Sequence, residues 1–261
     1  MPYVDVNGLH MYYEKEGSGR PLVLLHGGMG DGRMFGPVRT MLAKGRTVYA
    51  VDLQGHGRTA DIDRPIHPRT MAGDIIAMIE QLRLGKVDLM GYSLGSGTAI
   101  WTAILRPDLV RKVVACSTVL RDTAFYTDIK AQQAQMDADA TVEAMKQTPM
   151  YTSYTAVAPR PEDFGRLFKK LAALMAEPMD ATEDVRKITV PVLVVQGDSD
   201  IVPPSHGVEF FGLLGGGKRD GGWMGEGVPK SRLAILPGLT HYNICAAPPL
   251  ADVAIPFLDA D

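Results

Sequence analysis

The sequence predicts an α/β fold: a mostly parallel sheet flanked by helices, with a helical cap inserted after the sixth strand. Three observations predict it. Short continuous apolar runs recur, among them PLVLLH at 21–26, TVYAVDL at 47–53, KVDLMGY at 86–92 and VPVLVVQG at 190–197. Such runs suit strands buried on both faces. Stretches with apolar residues at helical spacing lie between them, TMAGDIIAMIEQLRLG at 70–85 and SLGSGTAIWTAILRP at 93–107. The alternation then stops between about residues 120 and 187, a strand-poor and helix-like region, and afterwards resumes. A helical insert between two strands of one sheet points to a cap over the carboxyl edge, where open α/β sheets bind their ligands.

Taken in order, YVDVNGLHMYYEKEG alternates polar and apolar residues about Asn7-Gly8. That pair signals a two-residue hairpin, since both turn positions need positive φ. MFGPVRTMLAKG can form a helix, with Gly36-Pro37 delaying its start. The helix over 70–85 is expected to end at Gly85. LVRKVVACST is the sixth strand. In the insert, DIKAQQAQMDADATVEAMKQ and EDFGRLFKKLAALMAE read as helices, the second ended by Pro178. The strands resume with ITVPVLVVQGDSD and SRLAILPG, and a last helix covers PLADVAIPFL. The boundaries are therefore 1–119 and 188–261 for the core and 120–187 for the cap. The Gly-rich segment LGGGKRDGGWMGEGVPKS, with Trp223, is either a surface loop or part of a pocket rim.

Composition narrows the function classes. With 261 residues, 46% hydrophobic and 22% charged, the chain can bury a substantial core. Net charge is −3 and Lys and Arg are scattered, which argues against nucleic-acid and anionic-membrane partners. No apolar run approaches the ~20 residues of a membrane helix. MPYVDVNGLH lacks the features of a secretory leader, so a cytoplasmic location is expected. Cys116 and Cys245 lack disulfide-framework or metal-type spacing and read as buried thiols.

The chemistry-bearing stretch is GYSLG at 91–95, a G-x-S-x-G between a predicted strand and a predicted helix. A sharp strand-to-helix turn pushes the Ser93 side chain out at the top of the sheet, and close backbone passage demands glycine on either side. A serine hydroxyl needs a base, and the base needs a partner that fixes its tautomer. Downstream, a strand ends in Asp198 and Asp200, and His241 follows the next strand. The chain order Ser, Asp, His is the one used by this architecture.

With HGG at 26–28, DLQGHGRT at 52–59, GYSLG, GDSD at 197–200 and LPGLTH at 236–241, the chain resembles the α/β-hydrolase fold superfamily nearly end to end. The resemblance implies Ser93 as nucleophile, His241 as base and Asp200, second aspartate of G-D-x-D, as acid. Asp198 would be structural. It also implies an oxyanion hole from the N–H groups of Leu94 and Gly28, with Met29 the other choice in HGGMG. His26 and His56 are read as loop braces. His10, His67 and His206 have no partners at metal-ligand spacing. No dinucleotide fingerprint or P-loop is present, and the triad needs neither metal nor cofactor. Candidate pocket residues in the cap are Phe125, Tyr126, Met145, Met150, Tyr151, Tyr154 and Phe168; Met29, Tyr126, Tyr151 and Tyr154 are the named substrate contacts. Met and aromatic residues at such spacing also serve plain packing.

Serine at the elbow separates the chain from the dehalogenases and epoxide hydrolases of this fold, which place Asp there. The expected activity is hydrolysis of carboxylic esters of small to medium acyl groups, with a small-molecule ester as partner. A carbon–carbon hydrolase, a lactonase and a cofactor-free haloperoxidase are the alternatives, and a non-catalytic binding protein is a further one. Monomer and homodimer both remain open.

Overall fold

The computed structural model describes residues 2–260. These residues form an eight-stranded sheet of β1 (Tyr3–Val6), β2 (Leu9–Glu16), β3 (Arg20–Leu25), β4 (Arg46–Val51), β5 (Val87–Tyr92), β6 (Val110–Cys116), β7 (Val192–Ser199) and β8 (Arg232–Thr240). The strand order is β1-β2-β4-β3-β5-β6-β7-β8. β2 runs antiparallel to both β1 and β4, and every later pairing is parallel. The hairpin turn has Asn7 at φ 48° and Gly8 at φ 84°, both in the region that pair was expected to supply. After β3 the chain crosses to β4 on one side and returns to β5 on the other. That reversal opens a crevice at the carboxyl ends of β3 and β5. The HGG stretch follows β3 directly, and GYSLG spans the end of β5 and the start of the next helix.

The helices are α1 (Gly36–Ala43), α2 (Pro68–Gln81), α3 (Leu94–Leu105), α4 (Thr127–Ala134), α5 (Ala138–Met145), α6 (Pro149–Thr155), α7 (Phe164–Ala176), α8 (Thr182–Val185), α9 (Pro204–Leu213) and α10 (Pro248–Asp259). The period-2 alternation of the strands divides the core between two faces. On β3, Val23 and Leu25 join a cluster with α2 and α3, including Met71, Ile75, Ile100 and Ala103. Leu22 and Leu24 join the opposite cluster with α1 and α10, including Val38, Leu42, Leu250 and Ala254.

Helices α4 to α8 lie between β6 and β7 and pack Val142, Tyr154, Phe164, Leu167 and Leu171 onto the α2–α3 side of the core. Their polar attachment to the core converges on the loop after β4. There Asp61, only 4% exposed, takes Lys170 Nζ at 2.7 Å and Arg166 Nε at 2.8 Å. Lys170 also donates to the carbonyls of Ile62 and Arg64, both at 2.7 Å, and Arg160 donates to Asp61 O. On the other side Arg33, paired with Asp31, donates to Ser153 O at 3.0 Å.

Four local expectations differ from the structure. The helix expected to reach Gly85 ends at Gln81, because Arg83 adopts φ 51° and Leu84 N donates back to Ile79 O at 3.0 Å. The stretch 128–147 is two helices, divided where Asp137 caps α5 by accepting from the N–H groups of Asp139 and Ala140. β8 continues through Pro237-Gly238 to Thr240, with a register shift opposite Gly197 and Ser199. An edge strand tolerates the missing proline N–H. α9 has no counterpart in the periodic pattern of the sequence; His206, Gly207 and Phe210 are its buried residues.

Candidate active site

Ser93 sits between β5 and α3 with φ 53° and ψ −116°, a backbone state that non-glycine residues rarely adopt. The flanking glycines explain how the turn closes. A Cβ on Gly91 would lie 2.2 Å from Gly95 O, and one on Gly95 would lie 2.2 Å from Leu25 O. Both obstacles are main chain and cannot swing aside. The turn leaves Ser93 half-buried, and its carbonyl accepts from Ser96 N and Gly97 N as α3 begins.

Two further loops complete the site. His241, directly after β8, places Nε2 3.1 Å from Ser93 Oγ. Its Nδ1–H donates to Asp200 Oδ1 at 2.7 Å, which leaves Nε2 free to accept the serine proton. Asp200 is 5% exposed. Burial works to raise its carboxyl, but donation from His241, from Ser117 Oγ at 2.5 Å and from Ile201 N at 2.8 Å outweighs burial and holds it below the ordinary carboxylate range. The carboxylate thus stays ionised beside the imidazole. Tyr92, the last residue of β5, donates its hydroxyl to His241 O at 2.5 Å and fixes the histidine loop.

Asp198 belongs elsewhere. It is exposed and accepts from Gly238 N at 3.0 Å, bracing the β8 bend. His26 Nδ1 donates to Gly27 O within its own loop at 2.7 Å, and its Nε2 accepts from Leu53 N at 3.0 Å, which ties the loop after β3 to the loop after β4. His56 Nδ1 donates to Gln54 O at 2.8 Å, and burial pushes this imidazole down to about 3. Burial also lowers His26. Both cysteines are buried, and burial pushes both thiols up, Cys245 to about 11.

Leu94 opens α3, so its N–H belongs to the helix-terminal donors that lack an intrahelical acceptor. The positive end of the helix dipole lies there too. Gly28 and Met29, in the loop after β3, are half-buried, Met29 at φ 59°. A Cβ built on Gly28 would lie 3.5 Å from Leu171 Cδ1 of α7. The insert therefore presents an aliphatic side chain to this loop. Of the aromatic residues expected to touch substrate, Tyr154 is buried, with its ring centroid 5.4 Å from that of Phe164. Tyr151 meets the same Phe164 ring edge-on at 4.9 Å, and Tyr126 is 40% exposed. Tyr154 and Tyr151 thus contribute packing inside the insert. Trp223 of the Gly-rich segment is 99% exposed and faces solvent.

Leu171, Ser117 and the Tyr92 hydroxyl contact were not singled out from the sequence. Ser117 follows a strand in a plain ACST stretch, and only its position beside β7 makes it a donor to Asp200. Among the described residues no group of three or more His, Cys, Asp or Glu side chains is arranged to hold a metal ion. No helix among them is long and apolar enough to cross a membrane.

Comparison with known proteins agrees with this architecture. The model of the "Alpha/beta hydrolase family" matches residues 22–251. The 2-(acetamidomethylene)succinate hydrolase of Mesorhizobium japonicum is 26% identical, covering 98% of this chain and 94% of that protein. The 2-hydroxy-6-oxo-6-(2'-aminophenyl)hexa-2,4-dienoic acid hydrolase of Metapseudomonas resinovorans is 26% identical over 81% of this chain and 79% of its own length. The crystal structure of the enol-lactonase from Burkholderia xenovorans LB400 superimposes with a TM-score of 0.74 at 21% identity, covering 99% of this chain and 100% of that one.

Proposed function

The chain is a hydrolase belonging to the alpha/beta hydrolase family, and we propose that it cleaves carboxylic esters of small to medium acyl groups through an acyl-enzyme on Ser93. The observation that carries the reading is the unbroken chain of contacts from Ser93 Oγ through His241 to Asp200, at 3.1 and 2.7 Å. Ser93 attacks the ester carbonyl as His241 Nε2 takes its proton, and the imidazolium then protonates the departing alkoxide. Water, deprotonated by the same nitrogen, attacks the acyl-enzyme and releases the acid. Asp200 holds the imidazole tautomer and stabilises its charged form. The N–H groups of Leu94 and Gly28 receive the oxyanion, each contributing roughly 3 kcal/mol in the transition state.

The substrate class follows from what the insert turns toward this loop. On α7, Lys170 and Arg166 are engaged by Asp61, and the group facing Gly28 is the aliphatic Leu171. An uncharged acyl chain suits that wall better than a carboxylate. Helices α4 to α8 act in this reading as the cap that shapes the acyl side of the site.

A fluorophosphonate probe with Ser93→Ala as control, followed by nitrophenyl esters from acetate to laurate, a lactone and a vinylogous diketone, tests it. Labelling of the wild type alone, with turnover of the shorter esters, is expected. Turnover of the diketone alone would replace ester cleavage by carbon–carbon cleavage. Equal absence of labelling in both proteins would leave only a ligand-binding role.

A further inference from the structure

Asp200 is gripped from two sides. Its Oδ1 accepts from His241 Nδ1 and from Ile201 N. Its Oδ2 points away from the imidazole and accepts from Ser117 Oγ at 2.5 Å. Ser117 is 1% exposed, so no solvent reaches the hydroxyl, and a buried carboxylate oxygen deprived of its donor is costly. Ser117 also holds φ 52°, a left-handed state that a serine occupies only under constraint. The constraint is visible: Ser117 N donates to Val195 O of β7 at 2.8 Å, while the residue before it ends β6. The bend keeps the backbone on β7 and aims the hydroxyl at the acid.

We propose that Ser117 is a positioning residue of the hydrolytic site, its hydroxyl fixing the rotation of the Asp200 carboxylate so that Oδ1 stays on His241 Nδ1. The inference rests on the Ser93–His241–Asp200 relay proposed above. With Oδ2 anchored, the carboxylate plane is set, and the imidazole it orients keeps Nε2 aimed at Ser93 Oγ. Without the anchor the carboxylate can turn about its Cβ–Cγ bond, and the relay spends less time aligned. The other titratable groups that act on this carboxylate or feel its charge are Tyr92 of β5, Cys116 of β6 and His206 of α9. Cys116 Sγ lies 4.0 Å from Ser117 Oγ as a weak second neighbour.

The test compares Ser117→Gly, Ser117→Ala and Ser93→Ala in the full chain, using a nitrophenyl ester that the wild type hydrolyses. Ser117→Gly is the decisive variant, because glycine removes the hydroxyl and the left-handed strain together. A purely structural serine predicts that this variant loses stability at most and keeps kcat within twofold of wild type. The positioning role predicts a melting temperature within a few degrees of wild type, a kcat lowered about tenfold or more and a KM within twofold. Ser117→Ala should show the same kcat loss with lower stability. A Ser117→Gly protein that keeps kcat within twofold, beside an inactive Ser93→Ala, overturns this inference and leaves the relay standing. A Ser93→Ala protein with wild-type turnover overturns the relay and this inference with it.

Discussion

The carboxyl edge of the sheet and the helical insert that packs against it are held by different forces. At the sheet edge, main chain meets main chain. Gly91, Gly95 and Ser93 form a turn in which one added methyl group would lie within 2.2 Å of a carbonyl oxygen. The insert is attached by side chains, with an apolar set led by Leu167 and Leu171 and an ionic set gathered on Asp61. Backbone contacts of this kind admit one geometry. Side-chain contacts can be exchanged singly, without disturbing the rest of the attachment.

The largest expected effect lies on the backbone side of this comparison. Gly95→Ala would drive Cβ into Leu25 O, and the loss should be about 3 kcal/mol or more, with hydrolysis abolished. Urea denaturation of that variant measures it. Asp61→Asn comes next, since it leaves Lys170 and Arg166 facing a neutral amide. Breaking such a pair should cost on the order of 3 kcal/mol. Hydrogen exchange should show that loss in α7 while β3 to β6 keep wild-type protection; uniform loosening would contradict separate attachment of the insert.

Leu171→Ala removes a 9%-exposed side chain and should cost about 2–3 kcal/mol. Chain-length profiles should shift toward longer acyl groups while fluorophosphonate labelling of Ser93 persists. An unchanged profile would separate Leu171 from the acyl side of the site.

The smallest effect is a pH dependence rooted in the core loops. An unfolded imidazole protonates around 6.5, whereas buried His56 does so only at about 3. Below pH 6.5 the unfolded chain therefore binds the extra proton, and stability falls by up to about 1.4 kcal/mol per pH unit from this residue. His26 is shifted the same way and adds to the slope. The depressed carboxyl of Asp200 contributes loss at still lower pH, as the carboxylates protonate. Urea midpoints at pH 7 and 5.5 should show the fall, and His56→Asn should flatten it.

Much of the sheet was legible because doubly buried strands must be continuous apolar runs, and PLVLLH, VYAVDL and VDLMGY admit little else. The relay residues were legible for a similar reason: a strained serine needs glycines beside it, and its base and acid follow distant strands in a fixed order. Elements stabilised by neighbours were harder to read. α9 has little amphipathic pattern of its own and gains its place from Phe210, buried in the core, and from His206, which accepts from Leu120 N at 3.1 Å. β8 runs through a Pro-Gly pair that marks a stop in a sequence, because its far side is an open edge.

The sequence alone therefore determined the serine at the elbow, His241 after the last strand and a pair of aspartates, Asp198 and Asp200, between them, with the preference for Asp200 coming from the family resemblance. Tertiary structure alone decided that Ser117 reaches Asp200 Oδ2, that Leu171 stands over Gly28, and that Tyr154 packs against Phe164. The physical reason is range. Backbone strain and apolar periodicity are written in adjacent residues, whereas a hydroxyl–carboxylate contact 83 positions apart exists only once β6 and β7 lie side by side.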